Sequence, residues 1–317
     1  MAEVRSLRGP GVTACGQPVP LLANVGTPAD AEQAAEAGAE GSGLFRTELA
    51  FLNAKVAPTR QQQTELYARV LAPFAGKPVT IRTLDAGADK PLAFADLGPE
   101  PNPALGRRGL RLCQERQDLL ADQLGAIADA QAATGAVVKV MAPMVATAEE
   151  TEWFVAQART HGLEQAGVMV EIPAAALRAH DILAQCDFVS LGTNDLSQYA
   201  LAADRMVGEL SDLLDPWQPA LLDLIAMTCD GAARLGKPVG VCGEAGGDPL
   251  AALVLVGLGV TTLSMAAAKL ALVRYALSLH TLAQCRELAE AAREATSAAA
   301  ARERVKQLVN PALAVLT

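Results

Sequence analysis

Several charged or reactive side chains sit inside or at the ends of apolar runs, where an unpaired charge is costly to keep. Arg46 closes GLFR, Arg82 lies within VTIRTL, Glu171 ends GVMVE, Asp195 follows FVSLGTN, and Cys242 ends VGVC. Arg108 and Arg205 follow at segment ends. A planar guanidinium grips phosphate or carboxylate through two parallel hydrogen bonds. Each arginine could instead form a structural ion pair, with Glu48 or Asp85 as partner. Several together in an acidic chain favour an anionic ligand. Glu171 and Asp195 offer oxygen donors with no His or Cys beside them, which suits Mg²⁺, with Mn²⁺ second; the alternative is that each pairs with an arginine. Gly192-Thr193-Asn194-Asp195 is a turn whose backbone N–H groups can face an anion. The Cys242 thiol is mostly protonated near pH 7 and can serve as a general acid, with Glu244 helping to keep it so. The plain alternative is a small buried core residue.

The elements that must position these groups repeat. Eight short apolar runs, at 21–25, 43–46, 79–84, 137–144, 168–172, 188–192, 239–242 and 262–265, alternate with Ala-rich helical stretches. Alternating strand and helix implies parallel pairing with right-handed crossovers, and eight units imply a closed (β/α)8 TIM barrel of the α/β class, here with extra C-terminal helices. In such a barrel the strands' C-terminal ends form one rim, where active sites lie. Strands five and six become neighbours, ~4.8 Å apart, which places Glu171 beside Asp195. Thr27-Pro28 and Thr147-x-x-Glu150 read as helix starts, and Gly38 and Gly236 as stops. Residues 85–109, rich in Gly and Pro and carrying Lys90, Arg107 and Arg108, read as a long functional loop. The organisation expected is a leader or linker at 1–18, a barrel at 19–281 and a helical extension packed on it at 282–317.

Composition narrows the function. The 317 residues are 51% hydrophobic and only 3% aromatic, so the core is aliphatic. No apolar run approaches the ~20 residues of a membrane span, and MAEVRSLRGP lacks a signal peptide's apolar stretch, so no membrane insertion and a cytoplasmic location are expected. A net charge of −9 argues against nucleic acid as a partner. The six cysteines form no CxxC pair, and the three histidines (His161, His180 and His280) show no metal-ligand spacing. None of the three is read as a phospho-accepting histidine; His161 and His180 are expected to face solvent.

Six linked segments carry a family pattern: GLFRTELAFL (43–52), TIRTLDAGADK (80–90), NPALGRRGLR (102–111), GVMVEIPAAAL (167–177), FVSLGTNDLSQYALAADR (188–205) and GVCGEAGGDP (240–249). In order and spacing, over roughly residues 18–280, the chain resembles the C-terminal half of Enzyme I of the bacterial phosphotransferase system, the phosphoenolpyruvate–protein phosphotransferase. The resemblance implies that Arg46, Arg82 and Arg205 grip phosphate, helped by Asn194, with Arg108 and Lys90 as further substrate contacts. It implies Glu171 and Asp195 as Mg²⁺ ligands and Cys242 as the acid that protonates the enolate's methylene carbon. Phosphoryl transfer to a histidine on a separate N-terminal domain, then to the carrier HPr for sugar uptake, with pyruvate released, is the implied activity, and a homodimer the implied assembly. Without the histidine domain the chain is expected to bind phosphoenolpyruvate but turn it over poorly. Gly87-Ala88, Arg107 and the stretch MVGELSDLLDPWQP after Arg205 depart from the family's usual loops. Pyruvate phosphate dikinase and phosphoenolpyruvate synthase share the barrel and stand as the alternative, as does a non-catalytic phosphoenolpyruvate-sensing module. A Mg²⁺-enolate lyase or aldolase would need fewer arginines.

Overall fold

The computed structural model describes residues 4, 6–87 and 92–316. Eight strands, β1 (Leu21–Val25), β2 (Ser42–Arg46), β3 (Pro78–Arg82), β4 (Val137–Ala142), β5 (Ala166–Val170), β6 (Val189–Leu191), β7 (Val239–Val241) and β8 (Thr262–Met265), pair in sequence order as a closed parallel barrel. β8 closes on β1 through Leu21–Leu263 and Ala23–Met265. This is the (β/α)8 barrel expected from the eight alternating runs.

Alternation of side chains decides what each strand does. Outward residues such as Phe45, Ile81, Val140 and Val168 join the large aliphatic core between sheet and helices. Inward residues Leu44, Met141, Met169, Phe188 and Cys242 form a second, smaller cluster inside the barrel. The Lys139 ammonium lies 3.9 Å from the Phe188 ring centre, a cation–π contact that lets a partly buried lysine sit on β4. Charged side chains gather at the other end, where β2 and β3 close on Arg46 and Arg82 and β5 leads into Glu171, and the site begins there.

The helices start where their caps dictate. Thr27 and Thr147 close reciprocal capping boxes on the helices Pro28–Glu36 and Ala148–Thr160. Gly38 and Gly236 adopt φ of 78° and 64° just past helix ends, the left-handed conformation that stops a helix. After β8 come Leu270–Ser278, Leu282–Arg293 and Ala298–Leu308. A Cβ on Gly257 would lie 2.0 Å from the Cys285 carbonyl oxygen, so the helices Pro249–Gly257 and Leu282–Arg293 meet backbone to backbone. His280 is buried: Nδ1 donates to the Ala276 carbonyl and Nε2 accepts from the Asn310 N–H at 3.0 Å. Its role is structural, through backbone partners. His161 is half-buried, bonding the Gln157 carbonyl, rather than fully solvent-facing, and His180 is exposed. No helix among the described residues is long and apolar enough to cross a membrane.

Candidate active site

At the C-terminal rim, the strand ends deliver alternating charges. Arg82, the last residue of β3, is 3% exposed. Its Nη2 is ion-paired with Glu48, its Nη1 lies 3.2 Å from Asp85, and Nη1 also reaches the Met169 sulfur. Arg108, 1% exposed, bridges two strands' ends. Its Nη2 donates to Asp85 Oδ2 at 3.0 Å and its Nη1 to Asp195 Oδ1 at 3.0 Å and Tyr199 Oη at 3.3 Å. Burial alone would lower the basicity of both guanidiniums, but the carboxylates around them (Glu48 and Asp85 for Arg82, Asp85 and Asp195 for Arg108, Glu171 for both) hold it raised. Breaking either pair would strand a buried charge.

Asp195 stands in the first turn of the helix Thr193–Leu201 and also accepts from Arg205 Nη1 at 3.4 Å. The arginine-paired reading of this carboxylate is thus realised in the structure. Glu171 is different. It is fully buried; Oε1 accepts the Met144 N–H at 2.7 Å, and Oε2 has no hydrogen-bond partner among the described residues. Burial first, then the charges of Asp195 and Asp85, push its carboxyl up to about 7, against the pull of Arg82 and Arg108. Met144 donates from a left-handed backbone, φ 58°, uncommon for a residue with a side chain, and Gly109 (φ 59°) packs against it. A Cβ on Gly192 would fall 2.7 Å from Glu171 Oε2, so a glycine there keeps that oxygen's side clear.

A buried anionic oxygen with no donor, next to a second carboxylate, fits a hard divalent cation, which needs only one or two protein carboxylates when substrate oxygens and water complete its shell. Among the described residues no group of three or more His, Cys, Asp or Glu is placed to hold a metal by itself.

Cys242 lies one residue past β7, 2% exposed, its sulfur 3.6 Å from the Leu191 carbonyl. Burial raises its thiol pKa, and Glu171 adds to that; a hydrogen bond from Ser190 and the charges of Arg82 and Arg46 pull the other way. Glu244, expected to keep the thiol protonated, is exposed and takes no part; burial and Glu171 do this instead. Gly243 lets the turn close, since a Cβ there would fall 1.8 Å from Thr193 Oγ1.

Arg46 ends β2, half-buried, with no ion pair among the described residues. With Asn24 and Glu244 it lines a cavity of ≈1140 Å³ that extends to Lys269, Arg302 and Lys306. Glu171 and Asp195 do not line this cavity; they lie deeper, with Arg82 and Arg108 packed among them. Asn194 is exposed at the start of its helix, and Arg107 pairs with Glu100 at 3.1 Å rather than facing the site. Lys90 lies outside the described residues. Four contributors were not anticipated from sequence. Gln123 donates to Thr47 Oγ1 and Tyr67 Oη while its carbonyl receives the Leu84 N–H at 2.9 Å. Tyr199 and Met144 brace Arg108 and Glu171 as described. Only Asn24, a polar residue on an apolar strand, carried a sequence signal of its own.

The family model for the PEP-utilising enzyme, PEP-binding domain, matches residues 3–281. A phosphoenolpyruvate-protein phosphotransferase from Streptomyces coelicolor is 54% identical over 303 residues, 95% of this chain and 54% of that protein. The protein of the same name from Bacillus subtilis is 42% identical over 271 residues, 81% of this chain and 47% of its own. A multiphosphoryl transfer protein from Rhodobacter capsulatus is 41% identical over 306 residues, covering 37% of its length. The chain spans about half the length of the phosphotransferases it matches. With the barrel, its rim of arginines and carboxylates and this match along most of its length, the chain belongs to the PEP-utilising enzyme family, as a PEP-binding domain.

Proposed function

We propose that the chain is the phosphoenolpyruvate-binding half of a phosphoenolpyruvate–protein phosphotransferase, donating the phosphoryl group to a histidine on a separate N-terminal domain and, through it, to HPr. The observation that carries this reading is the convergence of Arg46, Arg82, Arg108 and Arg205 on the same rim as Glu171, Asp195 and the buried thiol of Cys242. Arginines at that rim neutralise a transferring phosphoryl group by position and charge. Arg46, half-buried and with no ion pair among the described residues, and Arg205, only partly buried beside Asp195, are placed to reach a ligand; Arg82 and Arg108 hold the carboxylates in register. Asn194, at its helix start, offers a further donor, and Lys90 a contact from the loop.

The reaction forms an N–P bond to the acceptor histidine and breaks the P–O bond to the enol oxygen. The enolate's methylene carbon then takes the proton of the Cys242 thiol, and the thiolate, stabilised by Arg82 and Arg46, regains one from water. Glu171 and Asp195 would hold a divalent cation, Mg²⁺ or Mn²⁺, which would supply charge neutralisation to the phosphate and carboxylate oxygens of the substrate. A homodimer in the cytoplasm is the assembly this reading implies. A dikinase or synthase barrel shares this rim; the 54% identity to a phosphotransferase favours the first reading.

Pyruvate release from phosphoenolpyruvate with Mg²⁺ is the test, with and without an Enzyme I histidine domain and HPr. Release only when that domain is present supports the proposal. Mg²⁺-dependent binding without release would leave a dikinase relative or a sensing module, and neither binding nor release would remove phosphoenolpyruvate from consideration.

A further inference from the structure

The pairing of β1 with β2 slips by one residue, so that Ala23 faces Ser42 while Asn24 faces Leu44. Gly43 is the residue passed over. A Cβ on Gly43 would stand 2.5 Å from Cβ and 2.6 Å from Oγ of Ser264, which belongs to β8 on the far side of β1. The missing side chain is therefore the space that Ser264 occupies. Ser264 Oγ donates to Asn24 Oδ1 at 2.6 Å, and Asn24 Nδ2 donates to the Cys242 carbonyl at 2.9 Å. Cys242 itself lies beyond the β7 ladder, with its N–H on the Leu191 carbonyl at 3.2 Å. Its backbone is thus held from two sides: the N–H by β6, the carbonyl by a relay from β1 and β8.

We propose that Asn24 is a positioning residue for proton delivery by Cys242, its amide fixing the peptide that follows the cysteine and so the direction in which the thiol points. This rests on the phosphoenolpyruvate reading above. Both ends of the Asn24 side chain are engaged, Oδ1 by a serine and Nδ2 by the carbonyl, so it acts through Cys242. The step it serves moves the thiol proton onto the methylene carbon as the enolate closes to the ketone. Without the relay the Cys242 peptide can rotate, the sulfur leaves its line to the carbon, and water competes for the enolate. Misplacement of a reacting group by ~1 Å lowers rate on the order of 10²-fold.

The test measures pyruvate release by wild type, Asn24→Ala and Ser264→Ala, each with the histidine domain, HPr and Mg²⁺. The handedness of the pyruvate methyl is read from stereospecifically deuterated phosphoenolpyruvate in tritiated water. Asn24→Ala should lower kcat by roughly 10- to 100-fold with KM within about twofold, and should turn a methyl of one hand into a mixture. Ser264→Ala, which frees the amide without removing it, should show the same changes more weakly. A mere loosening of the fold would raise KM and lower Tm but leave the methyl single-handed. Unchanged kcat with a single-handed methyl in Asn24→Ala overturns the proposal. If that variant does not fold, Ser264→Ala decides by the same criteria. A wild type that releases no pyruvate overturns the phosphotransferase reading itself, and this inference with it.

Discussion

Replacing Glu171 by glutamine should make the protein more stable at pH 8 while abolishing the cation site proposed there. The carboxyl is fully buried, Oε2 has no donor, and its pKa stands at about 7 against an ordinary 4.5. Ionising it inside the fold therefore costs about 3 kcal/mol more than in the unfolded chain, at 1.36 kcal/mol per pH unit. Between pH 4.5 and about 7 the folded state binds the extra proton, so this group's contribution to stability falls as pH rises, then levels off. Glutamine keeps an acceptor for the Met144 N–H and never ionises. In cation-free buffer the variant and wild type should unfold together at pH 5. By pH 8 the variant should lead by up to ~3 kcal/mol, a Tm gain of roughly 5 °C for a chain of this size. Thermal unfolding in EDTA at both pH values, with Mg²⁺ titrated back at pH 8, is the assay. Added Mg²⁺ should raise the wild-type Tm and leave the variant's unmoved. A variant less stable than wild type at pH 8, or a difference that does not change with pH, would refute the account of Glu171 as a carboxylate awaiting a counter-charge.

Cys242→Ala should retain phosphoenolpyruvate binding by calorimetry while pyruvate release falls ~10²- to 10⁴-fold, the range for a lost general acid; loss of binding would show the thiol to be structural. Arg46→Ala and Arg108→Ala should separate binding from stability. Arg46 has no ion pair among the described residues, so its loss should change stability by less than about 0.5 kcal/mol and weaken phosphoenolpyruvate binding. Loss of Arg108 leaves Asp85 to Arg82 and Asp195 to Arg205 alone, and should cost up to ~3–5 kcal/mol by urea denaturation. Gly243→Ala places a methyl 1.8 Å from Thr193 Oγ1 at an ordinary backbone angle, so the clash alone should shift the ends of β6 and β7. Activity should fall by at least tenfold, with Tm lowered by several degrees; a silent substitution would mean the turn can open.

The barrel was legible because each strand is a short apolar run, and those of β2, β3 and β5 run straight into a charge, a pattern solvent-facing strands do not make. Its strand ends were overrun at 83–84, 143–144 and 171–172, where most residues stay buried after the ladder stops. There the Leu84 N–H turns to a glutamine side chain and Met144 to a carboxylate, partners that hydrophobicity does not reveal. Site charges were legible by type, since arginines and carboxylates on apolar strands must answer one another. Their pairing was not: that Arg82 would hold Glu48 and Arg108 would link Asp85 to Asp195 depends on which strand ends meet around a closed ring. Gln123 looks like any helical glutamine until its helix, Gln117–Thr134, is packed. Asn24 could have been read, as a polar residue at the end of the first strand.

The Ser264–Asn24 contact joins residues 240 positions apart, and the Asn24–Cys242 contact spans 218. A ribosome adding ~5–20 residues per second needs roughly 10–50 s between the two ends of that first bond. Throughout that interval β1 has been made and its closing neighbour has not. Loop-closure entropy must be met before so distant a pairing returns anything, which makes the closing seam a late event in folding. The backbone of Cys242, the proposed proton donor, is thus anchored across the last seam to form. A chain arrested before closure would keep most of its helices and the β2–β6 strands, yet be chemically silent, so catalytic competence reports completion of the ring more sharply than any measure of secondary structure.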